Sequence, residues 1–467
     1  MPEFIDREEE IAALETEYAR SGSSLVVIYG RRRIGKTSLI QHFLKEKPAV
    51  YFLATEENED QNRSAFRLMI AAFTNNELLG SSAVEEWRLI FEALCAFPTK
   101  KKKVLVIDEF QYLGKANPAF PSVLQKIWDT ALKDQGLMLI LCGSLISMMV
   151  SQTLAYESPL YGRRTAQIRL KQISFRYYSK FFTGAQKETL IPFYAVTGGV
   201  PKYIELCAGR KDVYDLIIRD VISRSSFLYD EPHFLLYREL GQVGSYFSII
   251  KTIAAGNRKL GDIAANLGIK QTGLTKYLET LISLDILERE VPVTETHPEK
   301  SKRGLYRIKD NFIAFWFRFI YPDLSYIEAG NTGLVMKKIR RNFVDNHVSF
   351  IYEDICREKL IRMNAVSGWP RSWRFHIDKS GRFWDKNTEI DIVAFDSGGV
   401  DIVFCECKYV KKPIDPEVLY ALEQKAEAVD WKRAERVNHY MLFSTSGFNP
   451  ELTAAAKKRK DVALILV

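Results

Sequence analysis

Leu25-Val26-Val27-Ile28-Tyr29-Gly30-Arg31-Arg32-Arg33-Ile34-Gly35-Lys36-Thr37-Ser38 decides the fold of the first part of the chain. Its apolar run over 25–30 reads as a strand buried on both faces, the kind found in parallel sheets. The residues that follow match G-x-x-x-x-G-K-[ST] and pass into a helix from about Lys36. The spacing has a physical reason. Gly30 and Gly35 let the backbone curl until its N–H groups point inward at an anion. The helix behind them presents its positive end to the same anion. Lys36 adds an ammonium for β- and γ-phosphates, and the Thr37 hydroxyl is a ligand for Mg²⁺. Arg31, Arg32, Arg33, Ile34 and Ser38 complete the phosphate-binding set. A chance match in a glycine turn is the bland alternative, and the strand–turn–helix context argues against it. The element implies ATP with Mg²⁺ as ligand.

Outward from it, Val50–Ala54, Val104–Ile107 and Leu137–Cys142 read as further short buried strands. Helical segments alternate with them, so a parallel α/β sheet is expected. Val104-Leu105-Val106-Ile107-Asp108-Glu109 ends a strand in paired carboxylates, where ligands sit in open parallel sheets. This is a Walker B pattern. Asp108 is expected to hold Mg²⁺, and Glu109 to orient and polarise the attacking water. Ser144, after the fourth strand, is placed to sense the γ-phosphate or the water, or is simply a small residue closing a strand. Arg163 and Arg164 read either as an arginine finger reaching across a homo-oligomer or as a solvated loop pair.

These features together resemble the archaeal-type prokaryotic ATPase family of the AAA+/STAND P-loop group. The resemblance is carried by Phe4-Ile5-Asp6-Arg7-Glu8-Glu9-Glu10, the Arg-rich loop, Asp108-Glu109-Phe110-Gln111-Tyr112, Gly143-Ser144 and Gly198-Gly199-Val200-Pro201. It implies that Phe4–Glu8 packs near the adenine and that the Gly-Gly-Val-Pro turn belongs to a helical lid. One departure shows: Lys171-Gln172-Ile173 precedes Ser174-Phe175 where the family has a proline.

Further on, Leu260, Ile263, Ala264 and Leu267, then Leu274, Tyr277, Leu278, Leu281 and Leu284, have helical spacing around a Gly268-Ile269 turn. Strands over 286–293 and 305–308 flank a polar hairpin with Lys300, Lys302 and Arg303. This reads as a winged helix-turn-helix with Lys270, Gln271, Thr272, Thr275 and Lys276 exposed. Glu279 and Asp285 on the same helix do not favour phosphate, so a structural spacer is the competing reading. The aromatic segment 312–321 reads as interdomain core.

From about 335 the chain starts again as α/β. A helix runs through Glu353, and strands are expected near 373–377, 389–395, 402–408, 438–443 and 463–467, with a helix over 416–430. Alternation sends Glu389 and Asp391 to one face and Ile390 and Ile392 to the other. Likewise Glu406 and Lys408 share a face opposite Cys405 and Cys407. Asp391 and Glu406 could bind Mg²⁺ or Mn²⁺, Lys408 could position or deprotonate a water, and Glu353 could complete the site. The pattern resembles the PD-(D/E)xK restriction-endonuclease-like superfamily, which implies metal-dependent phosphodiester cleavage. The expected organisation is therefore multidomain α/β. Residues 1–165 form a P-loop ATPase domain, 166–240 a helical lid, 241–325 the winged helix and aromatic linker, and 326–467 a restriction-endonuclease-like domain. Nucleic acid, DNA more than RNA, is the expected partner of the second half; a signalling or defence switch with a non-cleaving C-terminal domain is the alternative.

Composition agrees with ordinary globular usage: 467 residues, 47% hydrophobic, 27% charged, formal charge +8. The charge is compatible with nucleic acid without requiring it. No stretch of eighteen apolar residues offers a membrane span, and the N-terminus has no secretory pattern, so a cytoplasmic location is expected. Six cysteines without a CxxC pair read as buried thiols, neither a disulfide frame nor a zinc site. Lys100–Lys103 reads as a solvated loop, and Lys337–Arg341 as the exposed side of a linker helix.

Overall fold

Five short strands organise the first half: β1 (Ser24–Tyr29), β2 (Ala49–Leu53), β3 (Lys103–Asp108), β4 (Leu137–Gly143) and β5 (Ala166–Arg169). They pair in the order β2-β3-β4-β1-β5, every pair parallel. β1, β3 and β4 are buried along their whole length, which is why they read as unbroken apolar runs. On one face, Val26, Ile28, Val106, Ile140 and Cys142 pack against Leu39, Ile40 and Phe43 of the Lys36–Phe43 helix and Leu14 of the Glu8–Ala19 helix. Each such aliphatic side chain contributes about 1.5–3 kcal/mol on burial. In this computed structural model the described residues are 4–81, 84–182, 184, 187–370 and 373–467. A helix opened by Asp6 is expected over residues 1–20, of which residues 1–3 lie outside the described ones.

The chain forms two compact units. The first runs up to Tyr177 and takes in Gly199–Glu205 and His233–Gly241; the second comprises Tyr178–Gly198, Leu206–Pro232 and Gln242–Val467. In the second unit, helices Gly244–Ala254, Leu260–Leu267 and Gln271–Ser283 precede a two-stranded antiparallel pair, β6 (Leu287–Glu290) and β7 (Leu305–Ile308). Gly268 ends the middle helix in the left-handed conformation, φ +66°, where glycine carries no Cβ penalty. Ile263, Ala264, Leu274, Leu278, Leu281 and Leu284 form the buried face. Phe312, Phe315, Trp316, Phe317 and Phe319 are buried too.

The C-terminal sheet has the order β12-β11-β10-β9-β8: β8 (Lys379–Trp384), β9 (Glu389–Phe395), β10 (Asp401–Lys408), β11 (Val437–Ser444) and β12 (Val462–Leu466). The last three run parallel, while β8, β9 and β10 are antiparallel neighbours. Helices Ser349–Ala365, Pro416–Ala426 and Pro450–Lys458 accompany it.

Three expectations need correction. No strand forms over 373–377; Trp373 and Phe375 stack there with His439 instead, and the strand is β8, in a segment that reads as a turn. Its polar, glycine-containing sequence is tolerated because β8 is an edge strand paired only with β9. β5 and the Pro450–Lys458 helix are additional elements. Finally, Lys102 and Lys103 are not solvated: Lys103 Nζ donates to Cys95 O and Phe97 O, and Lys102 Nζ to Glu17 O and Arg20 O. Both thus satisfy carbonyls at helix ends. Lys337, Lys338, Arg340 and Arg341 do lie on the exposed side of the Thr332–Phe343 helix.

Candidate functional site

The loop between β1 and the Lys36–Phe43 helix turns back on itself at three positions of positive φ: Gly30 (+153°), Arg33 (+70°) and Gly35 (+93°). Gly30 has a second constraint, because a Cβ there would lie 2.5 Å from the Leu170 carbonyl oxygen. Lys36 is only 7% exposed. Its ammonium lies inside the loop and donates to Gly30 O at 2.7 Å and Arg31 O at 2.8 Å. Burial lowers its pKa, opposed by the nearby Cys142, Glu109 and Asp108. Thr37 and Ser38 open the helix on its exposed side. Arg32 Nη2 donates to the Tyr112 hydroxyl at 3.2 Å.

β3 delivers the two acids. The Thr37 hydroxyl donates to Asp108 Oδ2 at 3.3 Å, and the Tyr51 hydroxyl donates to the same oxygen. Thr37 and Asp108 thus present hard oxygens side by side, the donor set Mg²⁺ prefers. Glu109 adopts φ +53°, a left-handed conformation disfavoured outside glycine that clusters at functional positions. Its Oε2 accepts from Ser144 Oγ at 2.8 Å, from the Ser144 amide at 3.3 Å and from Gln111 Nε2. Ser144 therefore touches the acid rather than standing alone at the strand end. Arg163 pairs with Asp129 at 3.0 Å, and Arg164 donates to Tyr161 O and stacks on the Tyr161 ring. Both thus make contacts within their own chain.

Two flanking segments lock the loop. Arg7, 6% exposed, donates through Nη2 to Ile34 O at 3.1 Å and Lys171 O at 2.8 Å. Phe4 stacks on His42 with centroids 4.4 Å apart. Ile173 N donates to Gly199 O at 2.7 Å, and a Cβ on Gly199 would lie 1.7 Å from Ile173 O, so only glycine fits this approach. The Lys171-Gln172-Ile173 departure thus forms a backbone contact with the Gly-Gly-Val-Pro turn.

In the second unit, pairing of Val393 with Phe404 and Ile392 with Cys405 sets the facing of β9 and β10. One further alternation puts Asp391 and Glu406 on a common face. Asp391 Oδ2 accepts from the Cys407 amide at 2.7 Å. Lys408 Nζ donates to Glu406 Oε1 at 2.7 Å, and Lys425, from the Pro416–Ala426 helix, reaches Glu406 Oε2 at 3.0 Å. Glu353 Oε2 lies 3.4 Å from Arg382 Nη2. Burial and the Glu406 charge push Asp391 up to about 6. Burial drives Glu353 up to about 8, with Arg382 opposing and Asp391 adding to the rise. Asp391 thus lies within electrostatic reach of Glu406, Lys408 and Glu353. Among the described residues, however, no group of three or more His, Cys, Asp or Glu is arranged to hold a metal ion. Glu406 has Asp391 as a carboxylate neighbour and is ion-paired with two lysines, Lys408 and Lys425.

Residues 4–207 match a family described as an ATPase domain predominantly from Archaea, and residues 316–428 one of archaeal and bacterial proteins of unknown function. An uncharacterized protein of Methanocaldococcus jannaschii is 36% identical over 406 residues, 87% of each chain. The chain belongs to one family with this Methanocaldococcus protein, and its residues 4–207 are an archaeal-type ATPase domain. An uncharacterized ATP-binding protein of the same organism is 46% identical over 44 residues, 9% of this chain and 75% of that one. Among solved structures, the Walker-type ATPase of Pyrococcus abyssi matches with TM-score 0.52 and 20% identity, over 68% of this chain and 96% of that one. The last likeness shows the fold alone. No helix among the described residues is long and apolar enough to cross a membrane.

Other side chains at the two sites are not announced by any sequence motif. Tyr51 holds Asp108 from β2. Glu239 accepts from the Ile146 amide at 3.2 Å and Ser147 Oγ at 3.3 Å, and burial raises its pKa. It thereby caps the short helix behind Ser144. Arg238 reaches Glu56 at 3.2 Å. Lys425 doubles the cationic cover of Glu406. All come from positions distant in sequence, where no local motif signals them.

Proposed function

We propose that this chain binds ATP with Mg²⁺ at Gly30–Ser38 and hydrolyses it. The observation that carries this is the convergence of Thr37, Asp108 and Glu109 on a loop whose interior already holds the Lys36 ammonium. The inward-curled backbone and Lys36 would bind the phosphates, and Thr37 and Asp108 would hold the metal. Mg²⁺, when bound, supplies charge neutralisation at the phosphate oxygens. Glu109 orients water for in-line attack at the γ-phosphorus and takes up its proton as the bond to ADP breaks. Ser144 and Gln111 hold that carboxylate in position. Phosphate release from ATP by the purified chain, in Mg²⁺ and in EDTA, tests the reading. No Mg²⁺-dependent release at any temperature where the fold persists would overturn it.

The second half supports a finer reading: the nucleotide state governs a winged helix and a nuclease-like domain acting on nucleic acid, DNA more than RNA. Lys270, Gln271, Thr272, Thr275 and Lys276 are all exposed on or before one helix, and the hairpin carries exposed Lys300, Lys302 and Arg303, as groove and phosphate contact require. Asp391 and Glu406 would hold Mg²⁺ or Mn²⁺, with Lys408 beside them and Glu353 behind. The second reading, a switch whose C-terminal domain does not cleave, is favoured by one observation. Lys408 and Lys425 together neutralise Glu406 without a metal. Incubation with circular and linear DNA and RNA, in Mg²⁺ or Mn²⁺, with and without ATP, separates the two.

A further inference from the structure

In the second unit, a cavity of about 90 Å³ gathers guanidinium groups from four separate places in the chain. Arg258 comes from the turn after the Gly244–Ala254 helix, Arg307 from β7, Arg318 from the aromatic segment and Arg382 from β8. Lys309 and Asp354 add to the polar wall. Carboxylates answer three of the four arginines. Glu290 meets Arg258 at 2.9 Å and Arg307 at 3.3 Å, Asp354 meets Arg307 at 2.6 Å, and Arg382 has Glu353 at 3.4 Å and Glu389 closer still.

Arg318 is different. Its Nε donates to Ala254 O at 3.3 Å and its Nη1 to Asn346 O, both backbone carbonyls. Among the described residues no carboxylate forms an ion pair with it. Burial lowers its pKa and the Arg258 charge lowers it further. Arg258 is likewise lowered by burial, which Glu290 opposes and Arg382 and Arg307 reinforce. A half-buried cation without a counter-charge, beside other cations, is costly unless an anion shares the space.

We propose that this cavity binds one phosphate-type oxyanion, as inorganic phosphate or a terminal phosphate monoester, with Arg318 and Arg258 as its principal donors. The chemistry follows from shape and size. Guanidinium forks match phosphate oxygens in bidentate fashion. Donors arriving from four elements suit a tetrahedral anion better than a planar carboxylate. A water needs roughly 10–15 Å³ of such space, so the cavity accommodates one oxyanion with a few waters and is too small for a whole nucleotide. A phosphodiester, whose chain must enter and leave, fits less well. The site is distinct from the phosphate loop and stands whether or not the C-terminal sheet cleaves anything. It is also connected to that sheet: an anion drawing on Arg382 would loosen its hold on Glu353.

The test uses the full chain carrying Lys36→Ala, so that the phosphate loop does not answer for the cavity. Thermal unfolding is followed while inorganic phosphate is titrated against sodium chloride at matched ionic strength. The parent should show a saturable rise in Tm with phosphate alone. Adding Arg318→Gln should leave Tm unchanged or higher without phosphate, because an uncompensated charge is gone, and should abolish the phosphate response. Arg318→Lys should keep the response at about tenfold weaker affinity, charge without fork. If Arg318→Gln does not fold, Arg258→Gln is read in the same titration. A phosphate-dependent shift of equal size with and without these arginines, or no shift in the parent, overturns the proposal. Competition by a 5′-phosphorylated dinucleotide but not its 5′-hydroxyl form assigns the site to a strand terminus. Competition by neither assigns it to free phosphate.

Discussion

Lys36 has its ammonium enclosed by the backbone that would wrap the phosphates, so its removal takes away charge at the point of contact. Lys36→Ala is expected to weaken ATP binding by about 2–5 kcal/mol, the cost of truncating a buried hydrogen-bonded charge pair, without unfolding the sheet. Equilibrium binding of a fluorescent ATP analogue, alongside circular dichroism, checks it; unchanged affinity would refute it. Glu109→Gln keeps shape and loses the acceptor of the water proton. Turnover should fall by roughly 10²–10⁴-fold while ATP affinity is retained, as single-turnover kinetics would show; wild-type turnover would remove Glu109 from its role. At this scale much was legible, because Gly30, Lys36, Thr37, Asp108 and Glu109 lie in two contiguous motifs whose spacing encodes their geometry. Tyr51, Glu239 and Lys425 were not, since each is brought in by a different element and carries no signature of its own.

Elements differ in how openly the chain declares them. β1, β3 and β4 are central strands buried on both faces, and their unbroken apolar residues say so. β5 (Ala-Gln-Ile-Arg) and β8 (Lys-Ser-Gly-Arg-Phe-Trp) sit at sheet edges, where pairing with one neighbour sets the conformation and the side chains remain free to be polar. Trp373–Ile377 shows the converse: Trp373 and Ile377 are buried and Arg374 and His376 exposed, an alternation that looks like a strand, yet the segment packs as a loop. The end of β4 offers an element-scale test. A Cβ on Gly143 would lie 2.2 Å from Gln111 Oε1 and 2.3 Å from Met149 Sδ. Gly143→Ala should therefore displace Gln111 from Glu109 and cost about 1–3 kcal/mol of overpacking. Thermal unfolding and ATP turnover should both fall; a variant normal in both would mean that the Gln111 contact is dispensable.

Over the whole molecule, the two chemistries should separate. Asp391→Ala is expected to abolish any cleavage of nucleic acid and to leave ATP turnover largely intact, because Lys36, Thr37, Asp108, Glu109 and Ser144 all belong to the first unit and Asp391 to the second. Cleavage that survives the substitution would exclude Asp391 from the reaction. The acid cluster also carries a pH signature. Glu353 and Asp391 are raised in the fold, to about 8 and about 6, from ordinary values of 4.5 and 3.8. The fold thus favours their protonated forms. The stability they contribute is full below pH 4 and is lost progressively as pH rises through 6 and then 8. Glu353→Gln, neutral at every pH, should flatten the fall in Tm between pH 5 and pH 9; an unaltered pH profile would show that Glu353 is not the group responsible. The same alternation that turns Glu406 and Lys408 to one side of β10 leaves Cys405 and Cys407 buried on the other, with Cys356 beside Cys407, and burial raises the pKa of both strand thiols. Of six cysteines, only Cys95 is partly exposed. The protein therefore contains its own clock for breathing. A thiol reagent should modify one cysteine at once and the others only as fast as their surroundings open, so the lag for the three around β10 times the momentary unlatching of that sheet.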